Sequence, residues 1–442
     1  MVTNVIPSPH VAVRRSGRWS TSAGVCSAGG CRWFDRKTRN TEHHEQHTNR
    51  RESRVLRAHA TELRVYIHDH ICKLVRHLTT LLLTVAAAAS PVLAQQDIVL
   101  GQSVALSGPA AELGREMQLG AQLYFDSINA VGGIRGRKIV LKTLDDGYEP
   151  VRAEANTRRF IEDGDLLALF GYVGTPTSAA AIPLATSAKL PFFGAFTGAE
   201  LLRTPFNRYI FNVRASYFDE TELIVKQLTA EGLTRIAVFH QNDAYGQAGL
   251  AGVERALTAR KMTVAVKATV ERNSSDVAAA VATMLAANPE AIIMVSTYGS
   301  CAAFIKQTKA KGLLTRYANV SFVGTKALAK ALGPIGSGVM ISQVVPSPST
   351  EKYPWVVEYQ RMIKAKGGEL SYTSLEGFIA ARIMVEALKR GGDASREALI
   401  RSLESMTYIS LGGFPVFFAP DNHSASSFVE LTVLDRTGQV RY

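Results

Sequence analysis

The chain has 442 residues, 46% hydrophobic and 20% charged, enough for a sizeable core and more than one compact unit. Its formal charge of +12 suggests nucleic acid only until it is divided: residues 1–94 hold 14 Lys/Arg against 6 Asp/Glu, so +8 of the +12 precedes Gln95. No basic patch interleaved with aromatic residues follows, which argues against a nucleic-acid face on the body of the chain.

Residues 1–74 are rich in Arg, His, Ser and Thr and cannot bury enough apolar surface to offset their ordering entropy. They are expected to form an unstructured extension, one that is not made if translation starts at Val75. His43 and His47 share a helical face, but the surrounding composition favours a polar tract, and no metal site or cofactor is expected. Arg76 and His77, the apolar run Leu78–Ala89 and the small-residue end Val92-Leu93-Ala94 then form the three parts of a secretory signal, 75–94, cleaved after Ala94. That run is too short for a membrane span, which takes about 20 residues. Cys26, Cys31 and Cys72 precede Gln95, so the exported body, with Cys301 alone, must stand on its core rather than on a disulfide.

From Asp97 onward strands and helices alternate. DIVLGQSVAL, KIVLKTL, LLALFG, LPFFGAF, RIAVFH, AIIMVS and NVSFVG read as buried strands. Between them lie amphipathic helices at 114–131, 150–163, 176–188, 219–231, 246–260, 276–287 and 300–311. This rhythm predicts an α/β fold with parallel sheets covered on both faces. The Pro/Ser-rich VVPSPSTEKYP is a crossing segment, followed by helices at 354–366, 374–390 and 395–406 and by closing strands from VFFAP onward. The natural assembly is two Rossmann-like lobes with a ligand between them at the carboxyl ends of the strands.

Four stretches could supply that ligand site. After LLALFG, Thr175 reads as a helix N-cap and Pro176 as the first helical residue, leaving the N–H groups and hydroxyls around Thr177 and Ser178 free for a carboxylate. An ordinary capped helix fits the same residues. The next strand ends in Gly194-Ala195-Phe196-Thr197, where carbonyls and the Thr197 hydroxyl can converge on the same group, or where the chain simply turns. Tyr245 and Tyr298 follow strand ends of the second half and could close on an apolar ligand, or belong to the core. The motifs G-x-S-x-G, HExxH, the P-loop and G-x-G-x-x-G do not occur after Ala94, so no enzymatic activity is expected.

The segments ALSGPAAELGREMQLGAQLYFDSINAVGGIRGRKIVL, DDGYEP, GYVGTPTSAA, FTGAELLR, FNVRAS, NDAYG and SLEGF, in that order, resemble the leucine/isoleucine/valine-binding protein family. These are the type I periplasmic binding proteins of branched-chain amino-acid ABC transporters. The resemblance runs from about Asp97 to the C-terminus and implies two lobes joined by a multi-strand hinge, 97–214 with 347–412 and 215–346 with 413–442. It implies a first-lobe carboxylate site at Thr175, Thr177, Ser178, the Ala195 carbonyl, Phe196 and Thr197, with Tyr245 and Tyr298 on the closing face of the second lobe. It also implies a periplasmic protein whose partners are a small carboxylate-bearing solute, a branched-chain amino acid or a related acid or amide, and a membrane permease and ATPase. The alternative is a ligand-sensing module of the same fold. Members that bind amino acids commonly hold the ammonium with an acid where this chain has Gly324-Thr325-Lys326. That departure favours a carboxylate without the amine, or an amide, with Asp219, Glu220 and Glu376 as the acids available to substitute.

Overall fold

The computed structural model describes residues 60, 62–80, 96–407 and 409–441. Residues 62–80 are helical and exposed. The His43–His47 tract and most of the signal segment, including its cleavage point, lie outside the described residues. No described helix is long and apolar enough to cross a membrane.

The five-stranded first sheet has the order β2-β1-β3-β4-β5, with β1 at Ile98–Val104, β2 at Ile139–Asp145, β3 at Leu166–Phe170, β4 at Phe192–Phe193 and β5 at Ile210–Phe211. All its pairings are parallel. Every residue of β1 and β3 is buried, as expected where helices cover both faces. The connecting helices are α1 (Ala111–Ala130), α2 (Pro150–Asp163) and α3 (Thr175–Ser187).

The second sheet is built from β6 (Ile236–Gln241), β7 (Lys267–Val270), β8 (Ala291–Val295), β9 (Arg316–Asn319) and β10 (Met340–Gln343), all parallel. Its helices are α4 (Tyr217–Ala230), α5 (Ala244–Thr258), α6 (Ala278–Ala287), α7 (Tyr298–Ala310) and α8 (Thr325–Leu332). The late chain adds α9 (Pro354–Ala365), α10 (Tyr372–Arg390), α11 (Arg396–Glu404) and a small hairpin of β11 (Ile409–Leu411) and β12 (Phe414–Val416). It then returns to the second sheet as β13 (Glu430–Leu434), antiparallel to β10, and β14 (Val440–Arg441). The architecture is therefore two Rossmann-like lobes.

Three segments of the described chain carry it between the lobes: 212–216, 344–353 and 417–429. The first and third pair with each other. Asn212 N donates to the His423 carbonyl and Ala425 N to the Asn212 carbonyl, each at 2.8 Å. This hydrogen-bonded crossing is the hinge.

The late helix α10 packs along α1 at unusually close range. A Cβ on Gly120 would lie 1.7 Å from the Ser374 carbonyl oxygen, and one on Gly377 2.3 Å from that of Met117. Only glycine fits at either contact, and the contact fixes Glu376, next to Gly377, against the first lobe. Two expected strands differ. Of VFFAP only Val416 lies in a strand, at the end of β12. NVSFVG is not a strand but the exit from β9, whose last residue, Asn319, pairs with Met294 of β8; a short 3-10 turn at Ser321–Val323 follows. The sheet partner runs out there, and the exposed Arg316 at the strand's true start hides it from an apolar-run reading.

Candidate ligand site

The carboxyl ends of β3 and β4 in the first lobe face those of β6, β8 and β9 in the second. After β3, Gly174 takes φ +106°, a conformation open to glycine, and a Cβ there would stand 2.4 Å from the Tyr148 ring. Gly174, not Thr175, is the N-cap of α3, and no side chain caps the helix; Thr175 and Pro176 occupy its first turn. The reason is a competing bond: the Thr175 hydroxyl lies 2.6 Å from the Thr197 hydroxyl at the end of the neighbouring strand.

Thr197 is the centre of this edge. Its hydroxyl donates to the Tyr217 phenol at 3.3 Å and accepts from Ala199 N at 3.3 Å. The Thr177 hydroxyl is turned away, donating to the carbonyls of Val173 at 2.5 Å and Gly174 at 3.0 Å. Ser178 differs from both. Its N–H makes the first helical bond, to Gly174, while its hydroxyl is fully buried without a partner in the protein. The Ala195 carbonyl accepts from Thr197 N at 2.9 Å, and Phe196 is buried with its ring centroid 5.2 Å from that of Phe322 in the second lobe.

Tyr245 enters from the second lobe, fully buried, 4.5 Å from the Phe322 ring and 5.5 Å from the Tyr217 ring. Burial, with Tyr217 and Tyr148 nearby, pushes its phenol pKa well above the ordinary value, so it is a neutral donor. Tyr298 stands apart at the start of α7, half-buried and hydrogen-bonded to the backbone of Glu112 on α1. The structure thus gathers Thr175, Ser178, Ala195, Phe196, Thr197 and Tyr245, turns the Thr177 hydroxyl back into its own helix, and leaves Tyr298 where α7 meets α1.

Four residues beside this group were not singled out from the sequence: Tyr148, Arg214, Tyr217 and Phe322. Arg214 lies in the first hinge crossing, fully buried, with its guanidinium 4.8 Å over the Phe196 ring. Its Nη2 lies 3.3 Å from Glu220 and also bonds the Ser321 hydroxyl, and its Nε lies 3.7 Å from Glu376. Burial works against the Arg214 charge, but Glu376 and Glu220 outweigh it and hold the pKa above its usual value. Burial pushes the Glu376 carboxyl up to about 7, against the pull of Arg214. An arginine in the apolar run FNVRAS was the available signal, since such a residue is rarely fully buried unless paired.

Of the acids considered as substitutes, Asp219 is spent on a capping box with Ser216, whereas Glu220 and Glu376 reach the Arg214 cluster. Lys326 instead joins the lobes, 2.7 Å from Glu116 and 3.3 Å from Glu369. Asn273 donates to Glu149 at 2.7 Å and Gln241 to the Tyr148 phenol at 3.3 Å, so the two lobes are closed on each other. A surface cleft beside Glu290, Lys309 and Leu314 lies at the start of β8 and β9, the opposite end of that sheet.

Residues 97–439 match the family model described as periplasmic binding protein. The chain belongs to this family. The periplasmic binding protein is 37% identical to a possible leucine/isoleucine/valine-binding protein from Rhodopirellula baltica SH 1, with a TM-score of 0.76 over 80% of this chain and 98% of that one. A substrate-binding periplasmic protein from Ralstonia solanacearum is 33% identical, with a TM-score of 0.74 over 78% of this chain and 99% of that one. Leu/Ile/Val-binding protein homolog 8 of Brucella abortus is 23% identical over 351 residues, 74% of this chain and 86% of that protein. The family is a solute-binding one, with its fold in two lobes.

Proposed function

We propose that this periplasmic binding protein captures a small carboxylate-bearing solute between its lobes and delivers it to the permease and ATPase of an ABC transporter. The observation that carries the reading is the buried Ser178 hydroxyl, unpartnered at the N-terminal turn of α3 beside the Thr175–Thr197 pair. The N–H of Thr177 precedes the first helical bond, and the positive end of the helix dipole points the same way. A carboxylate fits this combination of donors; a cation does not. Tyr245 and Phe322 supply an aromatic wall from the second lobe, suited to an apolar body. The solute is a branched-chain amino acid or a related branched-chain or aromatic acid; the Rhodopirellula and Brucella relatives are named for leucine, isoleucine and valine.

The lobes in this reading comprise 97–214 with 347–412 and 215–346 with 413–442. The protein works in the periplasm after cleavage behind Ala94. Mass spectrometry of the exported protein should find Gln95 or Gln96 at its start, and a mature form retaining residues 1–94 would contradict this.

A thermal-shift screen tests the ligand class, because a solute that binds only the native state raises its apparent stability. Acids such as phenylacetate and 4-methylpentanoate should raise the melting temperature, and the matching primary amides should do so far less. A screen in which only solutes without a carboxylate raise it would overturn the reading.

A further inference from the structure

We infer that Arg214 and Glu376 form a second polar pole of the ligand site, recognising a neutral hydroxyl or primary amide at the end of the solute remote from its carboxylate. This rests on the carboxylate reading above and adds a specificity to it.

The argument starts from unspent hydrogen bonds. Arg214 carries five N–H donors in a fixed plane. Its Nη2 is engaged by Glu220 and Ser321, but Nε and Nη1 are buried without a hydrogen-bond partner in the protein. The nearest acid to Nε, Glu376 Oε1, stands at 3.7 Å, beyond hydrogen-bonding distance. Glu220 cannot absorb the surplus. Its Oε1 faces Nη2, and its Oε2 accepts from Ser321 N at 2.7 Å and the Ser342 hydroxyl at 2.5 Å.

Position comes second. The guanidinium lies over Phe196, between Ala195 and Thr197 in the chain and in contact with Phe322 across the lobes. Arg214 therefore adjoins Phe196, whose chain neighbour Thr197 is hydrogen-bonded to Thr175 at the start of α3. Glu376, held by the close α1–α10 contact, is buried with Arg214 and Glu220 as its charged neighbours. A group that accepts from Arg214 and donates to Glu376 would satisfy both.

Charge decides which group. Glu220 already balances this guanidinium and the Glu376 carboxyl stands beside it, so a second ligand carboxylate would add negative charge that nothing in the cluster offsets. An ammonium would meet the guanidinium itself. A hydroxyl or primary amide is neutral and both donates and accepts.

Calorimetric titration of the protein with phenylacetate, 4-hydroxyphenylacetate and 4-carboxyphenylacetate tests this. The hydroxyl should tighten binding about tenfold or more over phenylacetate, and 4-carboxyphenylacetate should bind more weakly than the hydroxy acid. Arg214→Lys keeps the charge that Glu220 needs but removes the planar donors, and Glu376→Met removes the acceptor. In each, the ratio of the hydroxy acid to phenylacetate should fall to near one. A cluster that serves only the hinge would leave that ratio unmoved. Equal binding of the two acids by the parent protein overturns the inference even where a variant does not fold, as does a ratio that survives both substitutions. Binding of none of the three acids would overturn the carboxylate reading together with it, whereas phenylacetate binding without a hydroxyl preference overturns this inference alone.

Discussion

Glu220→Ala is expected to lower the unfolding free energy by about 3–5 kcal/mol, because it strips a fully buried guanidinium of its nearest counter-charge. Arg214 cannot turn to solvent from the hinge crossing, and Glu376, 3.7 Å from Nε and pushed up to about 7 by burial, is a poor replacement. The same substitution removes the acceptor of Ser321 N, leaving that buried donor without a partner, and leaves the Ser342 hydroxyl only its 3.4 Å contact with the Asn319 carbonyl. Glu220→Gln should cost less, since an amide oxygen still accepts these bonds. Urea melts of the three proteins measure it. A loss below about 1 kcal/mol for Glu220→Ala would mean that water reaches the cluster.

The second large effect is on affinity. Ser178→Ala should weaken a bound carboxylate about ten- to a hundredfold, the worth of one hydrogen bond to a charged group, roughly 1.5–3 kcal/mol. The unliganded melting temperature should stay level or rise slightly, because the hydroxyl has no partner within the protein to lose. Thr197→Ala should lower both affinity and stability, since its hydroxyl also ties Thr175, Tyr217 and Ala199 together. Thr177→Val should lower stability and leave affinity nearly alone, because its hydroxyl is spent on the carbonyls of Val173 and Gly174. Titration beside a melt of each variant separates these three patterns. Unchanged affinity in Ser178→Ala would remove the hydroxyl from the site.

Much of this was legible because buried parallel strands announce themselves as continuous apolar runs. Ile98–Val104, Leu166–Phe170 and Ala291–Val295 are buried along their whole length and lie within strands expected from the sequence. The short strands Ile210–Phe211 and Lys267–Val270 escaped notice, the first because two residues carry no period and the second because it alternates at a sheet edge. Helix Thr325–Leu332 was missed for the same want of length. In the site, the threonines and Ser178 could be read from a strand-to-helix turn, since local chain geometry puts them at one edge. What local geometry could not reveal was the direction of each hydroxyl. Thr177 and Ser178 are adjacent, yet one bonds backward and the other does not. Nor could it reveal Arg214 meeting Glu376, residues brought together only by the hinge and the glycine contact between α1 and α10.

Closure around a solute is the central claim, and small-angle scattering tests it most directly. In the closed arrangement Tyr245 and Phe196 are buried, while the Ser178 hydroxyl and two Arg214 nitrogens lack protein partners. Closing without a solute therefore costs hydrogen bonds that opening to water restores, and a carboxylate ligand shifts the balance towards the closed form. The radius of gyration of the exported protein should decrease when a solute from the thermal-shift screen is added to saturation. A radius that stays the same with the site demonstrably filled would contradict capture between two moving lobes.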